Sequence, residues 1–419
     1  VFLIGLGGFM DKLVFVGLSM TILVGWKMVA VVGVGMSMYG GSSMDLLSSV
    51  MVELSLYVVS MGALWVIMHS DSGSDWGLMG LMVVVLVLLF TSSSFLVFYI
   101  AYEVTVVLLV VMVSIWGHNP ERLVSLTYLI VYMFVFSMPM FFVLSYVMAL
   151  EGVTNFSALW SVSGVMAIVV FLAMLVKVPV YMMHQWLPKV HVEASTGVSM
   201  VLAGVLLKMG VYGFMRFYCV WGIVTWFSGL VASVSLVGMV VMALVCVFVS
   251  DIKEVVAYSS VVHMGIMVAA MVFMSGSAFM GVLAMAVFHG FSSMILFHLA
   301  GMVYGVVGSR SLLVCKGVLK AGSVVSVVWF MALIMNMGFP LTGNFLAEVQ
   351  LVTVLVSKGL GVVVLLGLYL FLGCMYNMLV YVYLVVGSNF EGPGSWLSEF
   401  MGVVVMVWSI EVLIYVLFM

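Results

Sequence analysis

Charged residues break this chain into long apolar stretches joined by short polar links. Residues 123–150, 152–176, 217–250, 255–309 and 359–390 contain no Asp, Glu, Lys or Arg. A helix crossing a hydrocarbon core about 30 Å thick needs roughly 20 residues, and each of these stretches is at least that long. They do not alternate apolar and polar positions as the strands of a membrane barrel do. Helices are then the remaining way to satisfy the backbone in lipid. The pattern predicts an all-α polytopic membrane protein of about 13 transmembrane helices. They are expected near residues 13–38, 44–68, 76–93, 95–117, 122–150, 158–182, 193–218, 222–250, 254–275, 278–307, 322–357, 359–386 and 401–419. The links, such as HSDSGSD, GHNPE, SDIK and GSNFEGPGS, leave no room for a domain outside the membrane.

Two of these spans carry helix-breaking residues. The sixth is interrupted at Lys177-Val178-Pro179, because proline removes a donor and restrains the residue before it. The eleventh is interrupted at Asn336-Met337-Gly338-Phe339-Pro340. Paired interruptions in two halves of a membrane protein point to a transport path. Units offset by five spans must be inverted, since an odd number of crossings reverses direction. The expected organisation is one transmembrane domain over residues 1–419, with N-terminal helices at 1–93, a first inverted five-helix repeat at 94–190, a second at 193–357 and C-terminal helices at 358–419.

Composition sharpens this picture. Charged residues make up 6% of the chain and hydrophobic ones 66%, against a charged fraction near 25% in soluble domains. Mean hydropathy is +1.41. A net charge of −3, thinly spread, gives no reason to expect nucleic acid as a partner. Loop charge sets orientation in membrane proteins. Arg122, Lys189, Lys253 and the cluster of Arg310, Lys316 and Lys320 fall on one face, which is expected to be cytoplasmic or matrix; Arg216 and Lys358 lie near the other. Cys219, Cys246, Cys315 and Cys374 form no CxxC pair, so thiol ligation of zinc or an iron–sulfur cluster is not expected. The N-terminal segment has the character of neither a cleavable signal nor a transit peptide. With 41 Met and 42 Gly but only 6 Pro, the bias fits a small organelle genome.

Six ionisable groups sit near the middle of expected spans: Glu103, Lys177, Lys208, His263, His289 and Glu348. A lysine at mid-membrane costs roughly 2.5–3.5 kcal/mol on insertion scales. A Glu103–Lys177 ion pair is the natural expectation, because each charge offsets the other in low dielectric. One buried pair pins helices together as readily as it moves ions. Six groups beside two interrupted helices favour a proton or ion path. His298 reads as a core histidine, and Glu53 and Glu411 as helix contacts. His184, His191 and Glu193 lie close together, but HVE without a second spaced histidine is no zinc signature. No phosphate loop or dinucleotide fingerprint occurs.

Three stretches together carry a resemblance: YEVTVVLLVVMVSIWGHNPERL, the run from Val176 to Arg216 containing KVPVYMMHQWLPKVHVEA, and SDIKEVVAYSSVVHM followed by HGFSSMILFHLAG. They resemble, collinearly, the chain 4 family of the proton-pumping NADH:ubiquinone oxidoreductase, respiratory complex I, as encoded in mitochondria. The resemblance runs from about residue 45 to residue 357. It implies an antiporter-like subunit of the mitochondrial inner membrane with no cofactor of its own. NADH, flavin, iron–sulfur clusters and ubiquinone are then expected on other subunits, and the partners are those subunits, neighbouring antiporter-like chains above all, and membrane lipid. It implies that Glu103 is the essential carboxylate, Lys177 its partner on the interrupted helix and Lys208 the central lysine. His263 and His289 become relay histidines, and Glu348 the ionisable end of the half-channel. The family's HVEAP is HVEAS here, with Ser195 in the proline position, which bears on the local kink and not on the charged path. The family's first helix is expected to be truncated or absent, and the lateral helix of the related chain 5 is missing. The alternatives are a cation/proton antiporter subunit outside any redox complex, and a passive scaffold whose charges only lock helices.

Overall fold

A computed structural model describes residues 45–69, 76–117, 119–152, 156 and 162–387. The spans expected at 13–38 and 401–419, and with the latter Glu411, lie outside the described residues. Among these residues thirteen α-helices follow in order, with the π-helical turn inside the seventh counted as part of it, and a short 3-10 helix at Val318–Ala321. They are α1 Leu46–His69, α2 Trp76–Thr91, α3 Phe95–Trp116, α4 Arg122–Glu151, α5 Gly164–Lys177, α6 Trp186–Glu193 and α7 Thr196–Trp221. Then come α8 Thr225–Phe248, α9 Ile252–Met271, α10 Gly276–Val307, α11 Ser323–Asn336, α12 Gly343–Val356 and α13 Leu360–Val385. No β-strand occurs among the described residues; Asp251 and Ser311 form an isolated bridge. Among the described residues eight helices, α1, α3, α4, α7, α8, α9, α10 and α13, are long and apolar enough to cross a membrane.

Charge-free runs locate these helices because an apolar side chain costs nothing in lipid while an ionised one does. Burial then sorts them. Across an apolar 18-residue stretch of each span, all the residues are buried in Thr196–Trp221 and 89% of them in Ile252–Met271 and Gly276–Val307, against only 28% in Arg122–Ala149 and Leu360–Val385. The ionisable side chains follow that order: Lys208, His263 and His289 lie on α7, α9 and α10, and the charge-free interior of α4 faces outward. Between apolar helices in lipid, close backbone approach and packing hold the bundle together. Gly62 on α1 and Gly197 on α7 supply such a contact, since a Cβ on either would lie 2.9 or 2.7 Å from the other's carbonyl oxygen.

Several basic residues converge at one end of the bundle, as the loop charges predict. Arg122 donates to the Gly117 carbonyl and Arg310 to that of Val192. Lys253 donates to the Ala194 carbonyl over 3.1 Å, and Lys320 to that of Gly387. Arg216 meets Asp45, just before the start of α1, at the opposite end. Against expectation, the segment between the sixth and seventh spans is itself helical. Its Trp186 indole donates to the Val176 carbonyl over 3.2 Å, tying the start of α6 to the end of α5.

Candidate functional site

The first group of functional side chains forms where α5 stops. Pro179 cannot donate a backbone hydrogen bond, and the turn closes through Val178 N–H to Met174 (3.0 Å) and the wider Val180 N–H to Leu175 (3.3 Å). Lys177, the last residue of α5, is 3% exposed. Its ammonium donates to the Tyr102 carbonyl over 2.8 Å and sits 2.9 Å above the centre of the Tyr102 ring. Glu103 is half-buried on α3, close enough for its charge to act on Lys177. No ion pair joins the two among the described residues. This corrects the expected Glu103–Lys177 pair: a fixed carbonyl and a ring face stabilise the ammonium, and Glu103 Oε1 is left buried without a hydrogen-bond partner. A cavity of about 20 Å³, lined by Lys177, Thr105, Trp186, Leu202, Leu206 and Met209, adjoins the lysine. That is room for one water.

A turn not visible in the sequence sets the second group. Residues Leu202–Leu206 form a π-helical turn within α7, in which Leu207 N–H bonds to the Leu202 carbonyl, five residues back. Such turns occur singly inside α-helices and cluster at functional sites. The Ala203 carbonyl, the usual i−4 partner of Leu207, is taken instead by the Lys208 ammonium at 2.5 Å. Lys208 is fully buried.

From Lys208 the ionisable groups continue across three helices. The charges of Lys208 and His263 both act on His289 of α10, which is fully buried and has no hydrogen-bond partner on either ring nitrogen. The His289 and His263 rings lie 5.0 Å apart, centre to centre. His263 Nδ1 is 3.1 Å from the Tyr369 hydroxyl and 3.4 Å from Glu348 Oε1, and Tyr369 donates to that same carboxylate oxygen over 2.6 Å. His263, Glu348 and Tyr369 are each 3% exposed or less. Glu348 lies on α12, just past the gap after α11. There Gly338, at φ +65°, lies so close that a Cβ would come 2.3 Å from Glu348 Oε2. Asn344 supports this second gap by donating to the Met335 carbonyl over 2.7 Å.

Residues 92–374 match the family described as NADH:quinone oxidoreductase/Mrp antiporter, TM. The chain is also 34% identical over 364 residues to NADH-ubiquinone oxidoreductase chain 4 of Lumbricus terrestris, covering 84% of this chain and 79% of that one. The chain belongs to the NADH-ubiquinone oxidoreductase chain 4 family. In fold, this member of the chain 4 family is similar to a chain of respiratory complex I from Thermus thermophilus. The TM-score is 0.79 at 22% identity, over 87% of this chain and 80% of that one. It is similar to a chain of the Mrp complex from Dietzia sp. at TM-score 0.78 and 15% identity, over 90% of this chain and 76% of that one.

Of the six residues singled out from the sequence, the structure brings His289, His263 and Glu348 together, with Lys208 acting on His289, and Glu103 on Lys177, through charge alone. His298 packs edge-on against Trp65 at 4.6 Å, consistent with a core histidine, and Glu53 is engaged by neighbours. No metal-binding cluster occurs among the described residues. His184 stacks on Tyr181 instead. His191 stacks on Phe297 at 4.4 Å and feels the charges of both Lys253 and Lys208. Tyr369 escaped the sequence reading altogether: it is one tyrosine among several on a charge-free helix, and only its partners distinguish it.

Proposed function

We propose that this chain is the proton-translocating membrane subunit of respiratory complex I, coupling NADH oxidation and ubiquinone reduction on other subunits to proton movement through its buried Glu, Lys and His side chains. The observation that carries this reading is the buried series His289, His263, Glu348, joined by a ring contact and by a close approach bridged by Tyr369, with the charge of Lys208 acting on His289. Buried ionisable groups facing a membrane-protein interior mark ion and proton pathways. Among the buried groups without hydrogen-bond partners are Glu103 Oε1, His263 Nε2 and both nitrogens of His289, places on the proposed path where water would complete it.

In this mechanism a change of field arising from quinone chemistry elsewhere in the complex acts first on Glu103. With Glu103 charged and near, the ammonium of Lys177 is favoured. When Glu103 moves or is neutralised, Lys177 releases its proton toward Lys208. The sites titrate as a set, since each acts on the next through low dielectric. From Lys208 the histidines carry the proton to Glu348.

The gaps after Lys177 and Asn336 are read here as the breaks of two inverted units. The expected segments 94–190 and 193–357 enclose three and five spans respectively. Residues 76–221 and 225–385 make better-matched units, each of five spans with the fourth one interrupted. The mitochondrial inner membrane is the proposed location, with other complex I subunits and lipid as neighbours, and NADH, flavin, iron–sulfur clusters and ubiquinone held by those subunits. The likeness to an Mrp complex favours a second reading, a cation/proton antiporter subunit. That likeness is one of fold at 15% identity, whereas the chain 4 relatives share about a third of their residues. Reconstituted complex carrying Lys177→Ala or Glu103→Ala is expected to oxidise NADH slowly or to move fewer protons per electron pair. Normal pumping in both variants would refute the proposal.

A further inference from the structure

We infer that Tyr369 carries the proton between His263 and Glu348, an assignment that rests on the reading above and adds to it a residue from an otherwise charge-free helix. The geometry argues for the hydroxyl over a direct hop. His263 Nδ1 and Glu348 Oε1 are 3.4 Å apart, beyond the usual 2.7–3.2 Å of an N–H···O bond. The two legs through Tyr369 are 3.1 and 2.6 Å, both within ordinary range. The phenol has a single hydrogen. Given to Glu348, it leaves the oxygen as acceptor toward His263, so the imidazole carries its hydrogen on Nδ1. The other ring nitrogen, Nε2, has no hydrogen-bond partner and is free to take a proton arriving from the His289 side. Tyr369 is 2% exposed, and the His263 ring meets its ring edge-on, at 89° and 6.1 Å between centres.

The step balances without any co-reactant. A proton reaching His263 Nε2 makes the imidazolium. Its Nδ1–H bond breaks as a new O–H bond forms at Tyr369, while the original Tyr369 O–H bond breaks as Glu348 Oε1 gains a hydrogen. One positive charge leaves His263 and one negative charge is neutralised at Glu348. Tyr369 is a neutral phenol before and after. Once Glu348 has passed its proton on, rotation of the hydroxyl about its C–O bond, together with return of the imidazole hydrogen from Nε2 to Nδ1, restores the starting arrangement.

The test is Tyr369→Phe in the assembled complex, reconstituted into liposomes. The substitution keeps the ring and removes only the hydroxyl. Losing a positioned proton-transfer group slows that step by roughly 10²-fold or more. NADH-driven proton uptake per complex is therefore expected to fall, and its solvent deuterium isotope effect to rise. Uptake and isotope effect equal to those of the unsubstituted complex would overturn the assignment, including the case in which less complex assembles but each particle pumps normally. Should the Phe variant not assemble, Tyr369→Ser and Tyr369→Ala take its place. A hydroxyl with room for water must pump faster than a methyl group, and equal rates overturn the proposal. Lys208→Met in the same preparation separates the two failures. If it stops pumping while Tyr369→Phe does not, only the tyrosine assignment falls; if it too pumps normally, the functional reading falls.

Discussion

Replacing Lys208 by methionine tests whether its charge works or merely holds helices. The side chain is fully buried, and its one hydrogen bond is to the Ala203 carbonyl. Methionine has similar length and no charge. Its substitution orphans that carbonyl, at a cost of about 1–3 kcal/mol. It also removes a desolvated cation, whose burial costs several kcal/mol. The two roughly cancel, and the sign leans toward a bundle that is as stable as before or more so. A lysine that served only as a clamp would then be replaceable without loss. The relay, by contrast, loses the link between Lys177 and His289, and no other ionisable group of the series can stand in for it. The assay is NADH-driven acidification of liposomes containing the complex, measured together with NADH oxidation and the melting temperature of the solubilised particle. The expected result is a normal melting temperature with fewer protons moved per NADH, or electron flow halted along with pumping. An unchanged ratio at an unchanged rate, in fully assembled complex, would refute the reasoning. So would activity that declines only in step with assembly.

Other substitutions probe the scaffold around the series. Gly338→Ala places a Cβ on a left-handed residue, at about 1–2 kcal/mol, and against the Glu348 carboxylate. NADH-driven turnover should fall more than assembly does, as native gels and activity on the same sample would reveal. Gly197→Val drives a side chain toward the Gly62 carbonyl, and overpacking of this kind costs about 1–3 kcal/mol. Reduced assembly with a normal rate per assembled particle is expected. Arg310→Ala removes a charged hydrogen bond to Val192 and a 3.7 Å approach to Asp251. The hydrogen bond is worth roughly 1.5–3 kcal/mol and the partly exposed pair about 0–1 kcal/mol, so melting should occur at lower temperature while protons per NADH stay constant.

Polarity alone carried most of the helix boundaries, because lipid penalises every charge and tolerates every apolar residue. Helix α5 ends at Lys177 and α11 at Asn336, shortly before the prolines Pro179 and Pro340, whose missing donors act locally. Helix α6 was not legible, since WLPKVHVE mixes polar and apolar residues and contains Pro188, which is tolerated in a first turn. The π-helical turn left no mark either: LAGVL has no helix breaker, and its geometry accompanies tight packing, with Gly204 pressed against Val58. The charges of the site could be read residue by residue, but their partners could not. Carbonyls and ring faces, which hold Lys177 and Lys208, look the same at every position of a sequence. Tyr369 shows the limit from the other side, as a side chain whose role is set wholly by residues 21 and 106 positions away.

The wide turn at Leu202–Leu206 also works as a one-residue counter inside a continuous rod. Each residue of an α-helix advances it by about 100°, so a helix that closed this turn normally would need one residue fewer to keep its two ends in register. Removing one residue from 202–206 should return the turn to ordinary α-helical hydrogen bonding, and with it take away the carbonyl that Lys208 now uses. The same counting implies that in relatives of this chain a length difference inside this otherwise gapless helix is to be expected here, between its fixed ends, before anywhere else along it.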